Sequence, residues 1–261
     1  MKLQMIGGGK MAEALLGGLV ECGWATAEEL HVVEPVAERR AALGAVHPSM
    51  SIGTEPFRQT DAVIAVKPDV VAAVLPGLTD AGVARVLSIA AGVRTEAIEA
   101  QLPAGARVVR AMPNTPALVG KGAAAIAAGA AAQPDDLEWA RGILAAVGTV
   151  EIVDESDLDA VTGLSGSGPA YVFCFAEALR AAGIGQGLAP EVADALTRQT
   201  LLGAAVLLSD SGEDPAVLRS NVTSPGGTTA AGLAVFAEAD LVELVHRVVR
   251  AAADRSRELG R

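Results

Sequence analysis

The stretch that most constrains the fold opens the chain, where the short apolar run Met1–Ile6 leads into three glycines. Gly7 and Gly9 allow a tight turn, and Ala12 supplies the small residue that close packing of a helix on a strand requires. Backbone N–H groups in such a turn can bind an anion, usually a pyrophosphate, at the helix N-terminus. The pattern Gly-x-Gly-x-x-Ala predicts the first unit of a dinucleotide-binding fold. The alternatives are an ordinary strand-to-helix turn or a site for another adenosine-containing cofactor.

Apolar strands and helical patterns alternate through the first half of the chain. Helical spacing after the glycines ends at Gly23, and Thr26 with Glu29 forms a possible capping box before the next strand. This alternation predicts a mainly parallel sheet with right-handed crossovers, whose ligands bind at the carboxyl ends of the strands. The predicted strands are Leu30–Glu34, Asp61–Val66, Arg85–Ile89, one from Arg107 that breaks at Pro113, Gly122–Ala128 and Thr149–Val153.

Two residues near these strand ends are candidates for contacts with a dinucleotide. Glu34 stands where an acidic residue would bind the adenosine ribose hydroxyls, which favours NADH because a carboxylate repels a 2′-phosphate. Arg39 and Arg40 lie close by and argue the other way, and a solvated strand end is the alternative. Asn114 has its backbone restricted by neighbouring prolines, and its amide could pair with the carboxamide of nicotinamide or simply close its own loop.

The region from residue 155 to the end shows helical patterns and no convincing strand. Ser167 is predicted to cap a helix that has Pro169 in its first turn and ends at Gly183. Earlier in the chain, Thr95 is predicted to cap a shorter helix. The helix from Pro190 to Leu208 is apolar around much of its girth, so it must be buried on several sides. Burial is easiest against a second copy of the domain, which predicts an obligate homodimer.

A glycine-rich turn, Ser224-Pro-Gly-Gly-Thr-Thr229, precedes the helix that begins near Thr229. Several backbone N–H groups and hydroxyls at a helix N-terminus can bind a small carboxylate. An ordinary capped loop would explain one Thr and one Gly but not the whole set.

Composition and charge exclude several classes of function. The net charge is −11 and only 3% of the residues are aromatic, which argues against nucleic acid or an anionic membrane as partner. Cys22 and Cys174 lie far apart without a histidine cluster, so we expect no disulfide, no metal and two buried thiols. We find neither a secretory signal nor an apolar run long enough to span a membrane, and expect a cytoplasmic protein.

The motifs together resemble those of pyrroline-5-carboxylate reductase over essentially the full length of the chain. The last three matching stretches are highly specific in their order and spacing, whereas the first is generic to dinucleotide enzymes. The matching stretches are Gly7-Gly-Gly-Lys-Met-Ala, Ala65-Val-Lys-Pro, Ser88-Ile-Ala-Ala-Gly, Met112-Pro-Asn-Thr-Pro, Leu164-Ser-Gly-Ser-Gly-Pro-Ala-Tyr and Ser224-Pro-Gly-Gly-Thr-Thr.

The resemblance implies an α/β fold with two domains. Residues 1–154 would form a Rossmann-type dinucleotide-binding domain, and residues 155–261 an all-helical domain for dimerisation and substrate binding. In the family this second domain interlocks with a partner subunit, and five dimers commonly form a decamer. The implied reaction moves a hydride from NADPH or NADH to the C=N carbon of 1-pyrroline-5-carboxylate and yields L-proline.

Site residues follow from the same resemblance, position by position. The implied cofactor-binding residues are Ile6, Gly7, Gly9, Lys10, Met11, Glu34, Ala65, Val66, Lys67, Pro68, Ala90, Ala91, Gly92, Asn114 and Asn221. The implied substrate-binding residues, partly across the dimer interface, are Glu155, Thr162, Ser224, Gly226, Gly227 and Thr229, of which Thr229 is the catalytic candidate.

The chain departs from the family pattern at Glu34-Pro35, where many members carry Ser, Asn or Arg and use NADPH. We therefore expect NADH to serve at least as well. A related cyclic imine is an alternative substrate, and a catalytically silent cofactor-binding protein is an alternative function. The β-hydroxyacid dehydrogenases are disfavoured, because they need a lysine on an inner helix and this chain has none after Lys121.

Overall fold

The computed structural model describes residues 1–260 and contains one eight-stranded sheet. Its strand order is β3-β2-β1-β4-β5-β6-β7-β8, and all neighbouring pairs are parallel except β6 with β7. The strands are β1 (Leu3–Ile6), β2 (Leu30–Val33), β3 (Ser51–Gly53), β4 (Ala62–Ile64), β5 (Arg85–Ser88), β6 (Arg107–Met112), β7 (Gly122–Ala128) and β8 (Gly148–Ile152).

Helices connect the strands and then make up the remainder of the chain. They are α1 (Lys10–Glu21), α2 (Ala37–Val46), α3 (Val71–Asp80), α4 (Thr95–Glu99), α5 (Pro134–Leu144), α6 (Leu158–Val161), α7 (Gly168–Gly185), α8 (Pro190–Ser211), α9 (Pro215–Asn221), α10 (Thr228–Glu238) and α11 (Leu241–Leu259). No strand follows β8 within residues 1–260, as the helical patterns predict.

Central strands are buried on both faces, which is why most of their residues are apolar, with Gln4 on β1 and His31 on β2 as buried polar exceptions. β1 and β2 are buried at every position, and separate apolar clusters cover the two faces of the sheet. One cluster is centred on α1, with Leu15, Leu16 and Leu19 fully buried, and the other packs α3 through Leu75 and Leu78. The alternating pattern thus produces a sheet with helices on both sides.

Two features of the sheet escaped sequence reasoning. β3 has a single large apolar residue, Ile52, and its strand character comes from pairing with β2 rather than from its own composition. β7 runs antiparallel to β6, because the short connection through the 3₁₀ turn Thr115–Val119 lacks the dozen or so residues that a parallel crossover needs.

The predicted caps have mixed outcomes. Thr26 and Glu29 do form a capping box. The expectation that Thr95 caps α4 is wrong, because Arg94 occupies the cap position and Thr95 is the first helical residue. Its N–H and hydroxyl both donate to the Glu155 carboxylate, at 2.8 and 2.7 Å. A carboxylate distant in sequence therefore satisfies this helix end.

The chain divides into two compact units. The first comprises Met1–Pro169 with the residues from Val249 onward, and the second comprises Ala170–Val248. The division into domains after residue 154 stays a prediction. No helix among residues 1–260 is long and apolar enough to cross a membrane.

The second unit has almost no core of its own within the single chain. Ala193 is its only buried residue, whereas many large apolar side chains on α7, α8 and α10 are exposed, among them Phe173, Leu202 and Val235. The expectation that both cysteines are buried is wrong, because Cys22 and Cys174 are both exposed in the single chain. An isolated unit of this kind could not offset its conformational entropy, so it requires a partner.

We predict that the purified chain sediments as a dimer or a larger assembly at micromolar concentration. Burial of the exposed apolar side chains of the second unit, at about 25 cal/mol per Å², supplies the stabilisation that a monomer lacks. Sedimentation velocity measures this directly. A monodisperse monomer that retains its full helical signal would contradict the prediction.

Candidate cofactor site and substrate loop

The glycine turn after β1 is locked in place by close backbone contacts. Gly7 has φ +100°, and its N–H donates to the carbonyl of Val33 at 2.8 Å. A Cβ at Gly7 would lie 2.9 Å from Val66 Cγ1 and 3.0 Å from the carbonyl oxygen of Ala65. The turn after β1 therefore contacts the turn after β4, at the point where strand order reverses and dinucleotides bind in doubly wound folds.

The next part of the turn is open. Gly9 occupies the cap position of α1 without a side-chain cap, and a Cβ built on it would meet nothing within 4 Å. Lys10 is exposed and Met11 half-buried, whereas Ile6 and Ala12 are buried beneath the turn. The amides at the start of α1 thus border free space that a pyrophosphate can approach closely, so these residues fit a dinucleotide.

Glu34 belongs to this turn and is not a solvated strand end. Its side chain is buried, and its two carboxylate oxygens accept hydrogen bonds from the N–H groups of Gly8 and Val36, both at 2.9 Å. A Cβ at Gly8 would lie 2.6 Å from Leu43 Cδ1 and 3.2 Å from Glu34 Oε2, so a larger residue there would crowd this contact. The structure therefore places a fixed carboxylate beside the turn.

Both nearby arginines are already engaged with the protein. Arg39 donates to the carbonyl of Gly8 and also to the Glu13 carboxylate, at 2.7 Å. The hydrogen bond from Arg39 to Glu13 lowers the pKa of the Glu13 carboxyl. Arg40 donates to the carbonyls of Glu34 at 2.8 Å and Pro35 at 2.7 Å. The guanidinium groups hold the turn in shape and are less available to a 2′-phosphate than free ones would be.

The other predicted strand ends lie at the same edge of the sheet, because β1 through β6 are parallel. The Ala65 N–H donates to the carbonyl of Ile6 at 2.8 Å, and the exposed Lys67 and Pro68 lead into a 3₁₀ turn. After β5, Ala90 and Gly92 are buried and Ala91 is half-buried. These loops are brought together as the alternating pattern predicts.

Asn114 is buried with both ends of its amide paired within the protein. Its Nδ2 donates to the carbonyl of Ser165 at 3.0 Å, and its Oδ1 accepts from the N–H of Ala123 at 2.8 Å. It therefore ties two other segments together rather than closing only its own loop. One amide hydrogen and one lone pair remain for a ligand, so its contact with nicotinamide stays a prediction.

Two of the implied substrate residues lie in the first unit. Glu155 pairs with Thr95 and with Arg110, whose Nη1 lies 3.2 Å from Glu155 Oε1. Thr162 is buried and donates to the carbonyl of Leu158 at 2.7 Å, at the start of the π-helical turn Thr162–Gly166. Such turns occur frequently at functional sites. Sequence reasoning missed Arg110, since a charged residue within an apolar strand gives no motif.

The glycine-threonine turn lies in the second unit, between α9, whose last residue is Asn221, and α10. Gly226 has φ +70°, which favours glycine, and Gly227 caps α10 without a side-chain hydrogen bond. A Cβ at Gly227 would lie 2.4 Å from Ser224 Oγ, so the turn cannot accept a larger residue there unchanged. Thr229 is exposed in the first turn of α10, beside amides that lack helical partners.

None of the three histidines lies in the glycine turn, in the loops at the strand ends or in the turn Ser224–Thr229, where a general acid would have to stand. His31 is buried on β2, with Nδ1 2.9 Å from Ser51 Oγ and Nε2 3.0 Å from the Glu55 carbonyl. Burial lowers its pKa, so the ring is neutral near pH 7. His47 follows α2 and His246 is exposed on α11. Residues 1–260 hold no group of three potential metal ligands, and the expected lack of a metal stays a prediction.

Comparison with known proteins decides the family. Residues 155–259 match the family model for pyrroline-5-carboxylate reductase dimerisation, and residues 2–92 match that for NADP oxidoreductase, coenzyme F420-dependent. The pyrroline-5-carboxylate reductase of Synechocystis sp. is 44% identical, over 100% of this chain and 99% of that protein. The chain belongs to the pyrroline-5-carboxylate reductase family. This confirms the resemblance, the Rossmann-type and helical fold class, and an oxidoreductase that uses NAD(P)H.

Further members of the pyrroline-5-carboxylate reductase family match this chain over nearly its whole length, in sequence and in structure. The Mycobacterium tuberculosis enzyme is 39% identical, over 99% of this chain and 96% of that protein. The solved structure from Coxiella burnetii has a TM-score of 0.92 and 36% identity, covering 100% and 98% of the two chains. A Plasmodium falciparum pyrroline carboxylate reductase, solved with NADP bound, has a TM-score of 0.85 and 28% identity, with the same coverage.

We predict that Gly9→Ala weakens binding of the reduced coenzyme by about tenfold or more, because the new methyl group occupies the space that a pyrophosphate approaches. Fluorescence or calorimetric titration of the full chain measures the dissociation constant. Gly17→Ala is the matched control, since it adds the same methyl group on the same helix where nothing lies within 4 Å. Equal affinity in both variants would refute a phosphate site at Gly9.

Proposed function

We propose that the chain reduces 1-pyrroline-5-carboxylate to L-proline with NADH or NADPH. The observation that carries the proposal is the turn Ser224–Thr229, whose exposed amides and hydroxyl suit a small cyclic imine with a carboxylate. The family membership of the chain supports the same substrate. The open glycine turn at Gly9 supports the coenzyme.

The chemistry demands little acid catalysis from the protein. An imine nitrogen is basic enough to be partly protonated near neutral pH, so the substrate carries its own electrophilic activation. When bound, the reduced nicotinamide would supply a hydride to the C=N carbon of the protonated imine. The π electrons of the C=N bond pass to the ring nitrogen, which becomes a neutral secondary amine and takes its second proton from water. The chain's own residues have to orient the substrate and hold its charges, which accounts for a site without a histidine acid.

Two groups on α10 would perform that orientation. The first backbone amides of the helix donate to the substrate carboxylate, where the positive end of the helix dipole also favours an anion. The Thr229 hydroxyl hydrogen-bonds the ring nitrogen, donating to the imine or accepting from its protonated form. Ser224, Gly226 and Gly227 shape the turn, and Glu155, Thr162 and Asn221 complete the proposed set of substrate and cofactor contacts.

We predict that Thr229→Ala lowers turnover by a factor of about ten or more, the low end of an acid–base or orienting contribution. Thr229→Ser, which keeps the hydroxyl at the same place on α10, should retain most of the activity. Steady-state rates of proline formation with saturating coenzyme measure both. Wild-type turnover in Thr229→Ala would remove this hydroxyl from the mechanism.

We predict that NADH serves at least as well as NADPH. A 2′-phosphate at the end of β2 would meet the fixed carboxylate of Glu34, and the neighbouring arginines are engaged with Glu13 and backbone carbonyls. Initial rates with the two coenzymes test this, and Glu34→Gln should shift the ratio toward NADPH. A strong NADPH preference in the unaltered chain would refute it.

The assembly and location belong to the same proposal. The match to a dimerisation domain and the exposed apolar faces of the second unit support self-association, and we propose a homodimer that can assemble further into a decamer. We propose the cytoplasm as its location and no nucleic acid or membrane as partner. The net charge of −11 supports the exclusion of anionic polymers and surfaces.

A further inference from the structure

A polar cavity lies in the first unit, next to the loop Ala90–Gly92 that follows β5. Its volume is about 270 Å³, and its lining residues are Arg94, Arg110, Glu155, Ser156, Asp159 and Arg257. These residues come from the loop before α4, from β6, from the segment around α6 and from the last turns of α11. Four separate parts of the chain therefore meet around this cavity.

Arg110 lies at the centre of the contacts around the cavity. Its side chain is only 5% exposed, with Nη1 3.2 Å from Glu155 Oε1 and Nη2 3.9 Å from Asp159 Oδ1. A planar guanidinium can bridge two carboxylates in fixed relative positions, which a lysine ammonium cannot do to the same extent.

Each carboxylate fixes a different element. Glu155 accepts hydrogen bonds from the N–H and the hydroxyl of Thr95. It therefore fixes the start of α4, shortly after the loop Ala90–Gly92. Asp159 accepts from the hydroxyl of Ser256 at 2.6 Å, and Ser256 is buried on α11. Through these two carboxylates, Arg110 thus connects the start of α4, which follows the loop Ala90–Gly92, with helix α11.

The same two elements touch each other directly at Gly92. This residue has φ +78°, and a Cβ built on it would lie 3.3 Å from the Gly260 nitrogen and 3.5 Å from Leu259 Cβ. Helix α11 is also packed closely about three turns earlier, since a Cβ at Gly163 would lie 2.6 Å from the Val249 carbonyl oxygen. The last turn of α11 therefore packs directly against the loop Ala90–Gly92.

We propose that Arg110 is a positioning residue for coenzyme binding. Through Glu155 and Asp159, its guanidinium holds the loop Ala90–Gly92 against the last turn of α11, in the position that the coenzyme requires. Arg110 contacts neither coenzyme nor substrate in this role. The inference rests on the proposed use of the loop by a nicotinamide coenzyme, but it does not depend on which imine is reduced.

A purely stabilising role explains the arrangement less well. The desolvation of a buried ion pair offsets most of its Coulomb energy, and apolar side chains of similar volume often stabilise a protein more. What a guanidinium between two carboxylates adds is a defined geometry. That geometry is needed where a loop has to be held for a ligand.

The test compares Arg110→Lys with Arg141→Lys. The first variant keeps the positive charge but loses the bridge, and the second makes the same substitution in an exposed ion pair with Glu138 on α5. Direct titration of the full chain with NADH, without substrate, gives the dissociation constant. Steady-state kinetics give the KM values for the coenzyme and for pyrroline-5-carboxylate separately, and thermal unfolding monitors the fold.

We expect Arg110→Lys to raise the NADH dissociation constant and the coenzyme KM about tenfold. The KM for pyrroline-5-carboxylate should rise by a clearly smaller factor, since Arg110 also pairs with Glu155 of the proposed substrate set, and Arg141→Lys should match the unaltered chain. An unchanged NADH dissociation constant in folded Arg110→Lys would overturn the proposal, as would equal rises in both KM values. Because binding is measured without substrate, a failure of the proposed reaction would be seen separately, as binding without turnover.

Ser256→Ala keeps the proposal testable if Arg110→Lys does not fold. It removes only the hydroxyl that connects α11 to Asp159 and leaves the Arg110–Glu155 pair in place. We expect about a threefold rise in the NADH dissociation constant with the fold intact. Unchanged NADH affinity in this variant would overturn the proposal.

Discussion

The fold of the first unit depends on the close approach of two backbone turns at the point where strand order reverses. Gly7 lies against Ala65 and Val66, and no side chain could be added there without displacing one of them. The buried carboxylate of Glu34 then accepts from the N–H of Gly8 and holds the second strand end against the same turn. These contacts leave Gly9 facing free space, so the close packing of the two turns also leaves room at the start of α1, where we propose that the coenzyme's pyrophosphate binds.

Much of this could be predicted from the sequence, because it depends on local rules. The turn Gly7–Gly9 and the buried strands need particular residue types at fixed spacing, and they occur as the pattern predicts. The reversal of β7 and the pairing of β3 depend instead on connection length and on a neighbouring strand. The position of Arg110 and the cap that Glu155 provides for α4 come from residues distant in sequence, which periodicity cannot reveal.

The two units contribute different physical properties to the proposed reaction. The first is a well-packed sheet whose loops are held by backbone contacts and buried polar groups, which suits a site that must be preorganised for a coenzyme. The second consists of helices with exposed apolar faces and needs another copy to bury them. The exposure of Cys174, which the sequence analysis expected to be buried, is consistent with this, since it lies on α7 among exposed apolar side chains. The proposed substrate contacts on α10 therefore lie in the unit that depends most on assembly.

The most direct test of this account is the reduction of 1-pyrroline-5-carboxylate by the purified chain, with coenzyme oxidation and L-proline formation measured in the same reaction. The account predicts one L-proline formed for each coenzyme oxidised. Coenzyme binding without any proline formation would show that the glycine turn holds a dinucleotide in a protein with a different activity, and would contradict the proposed function.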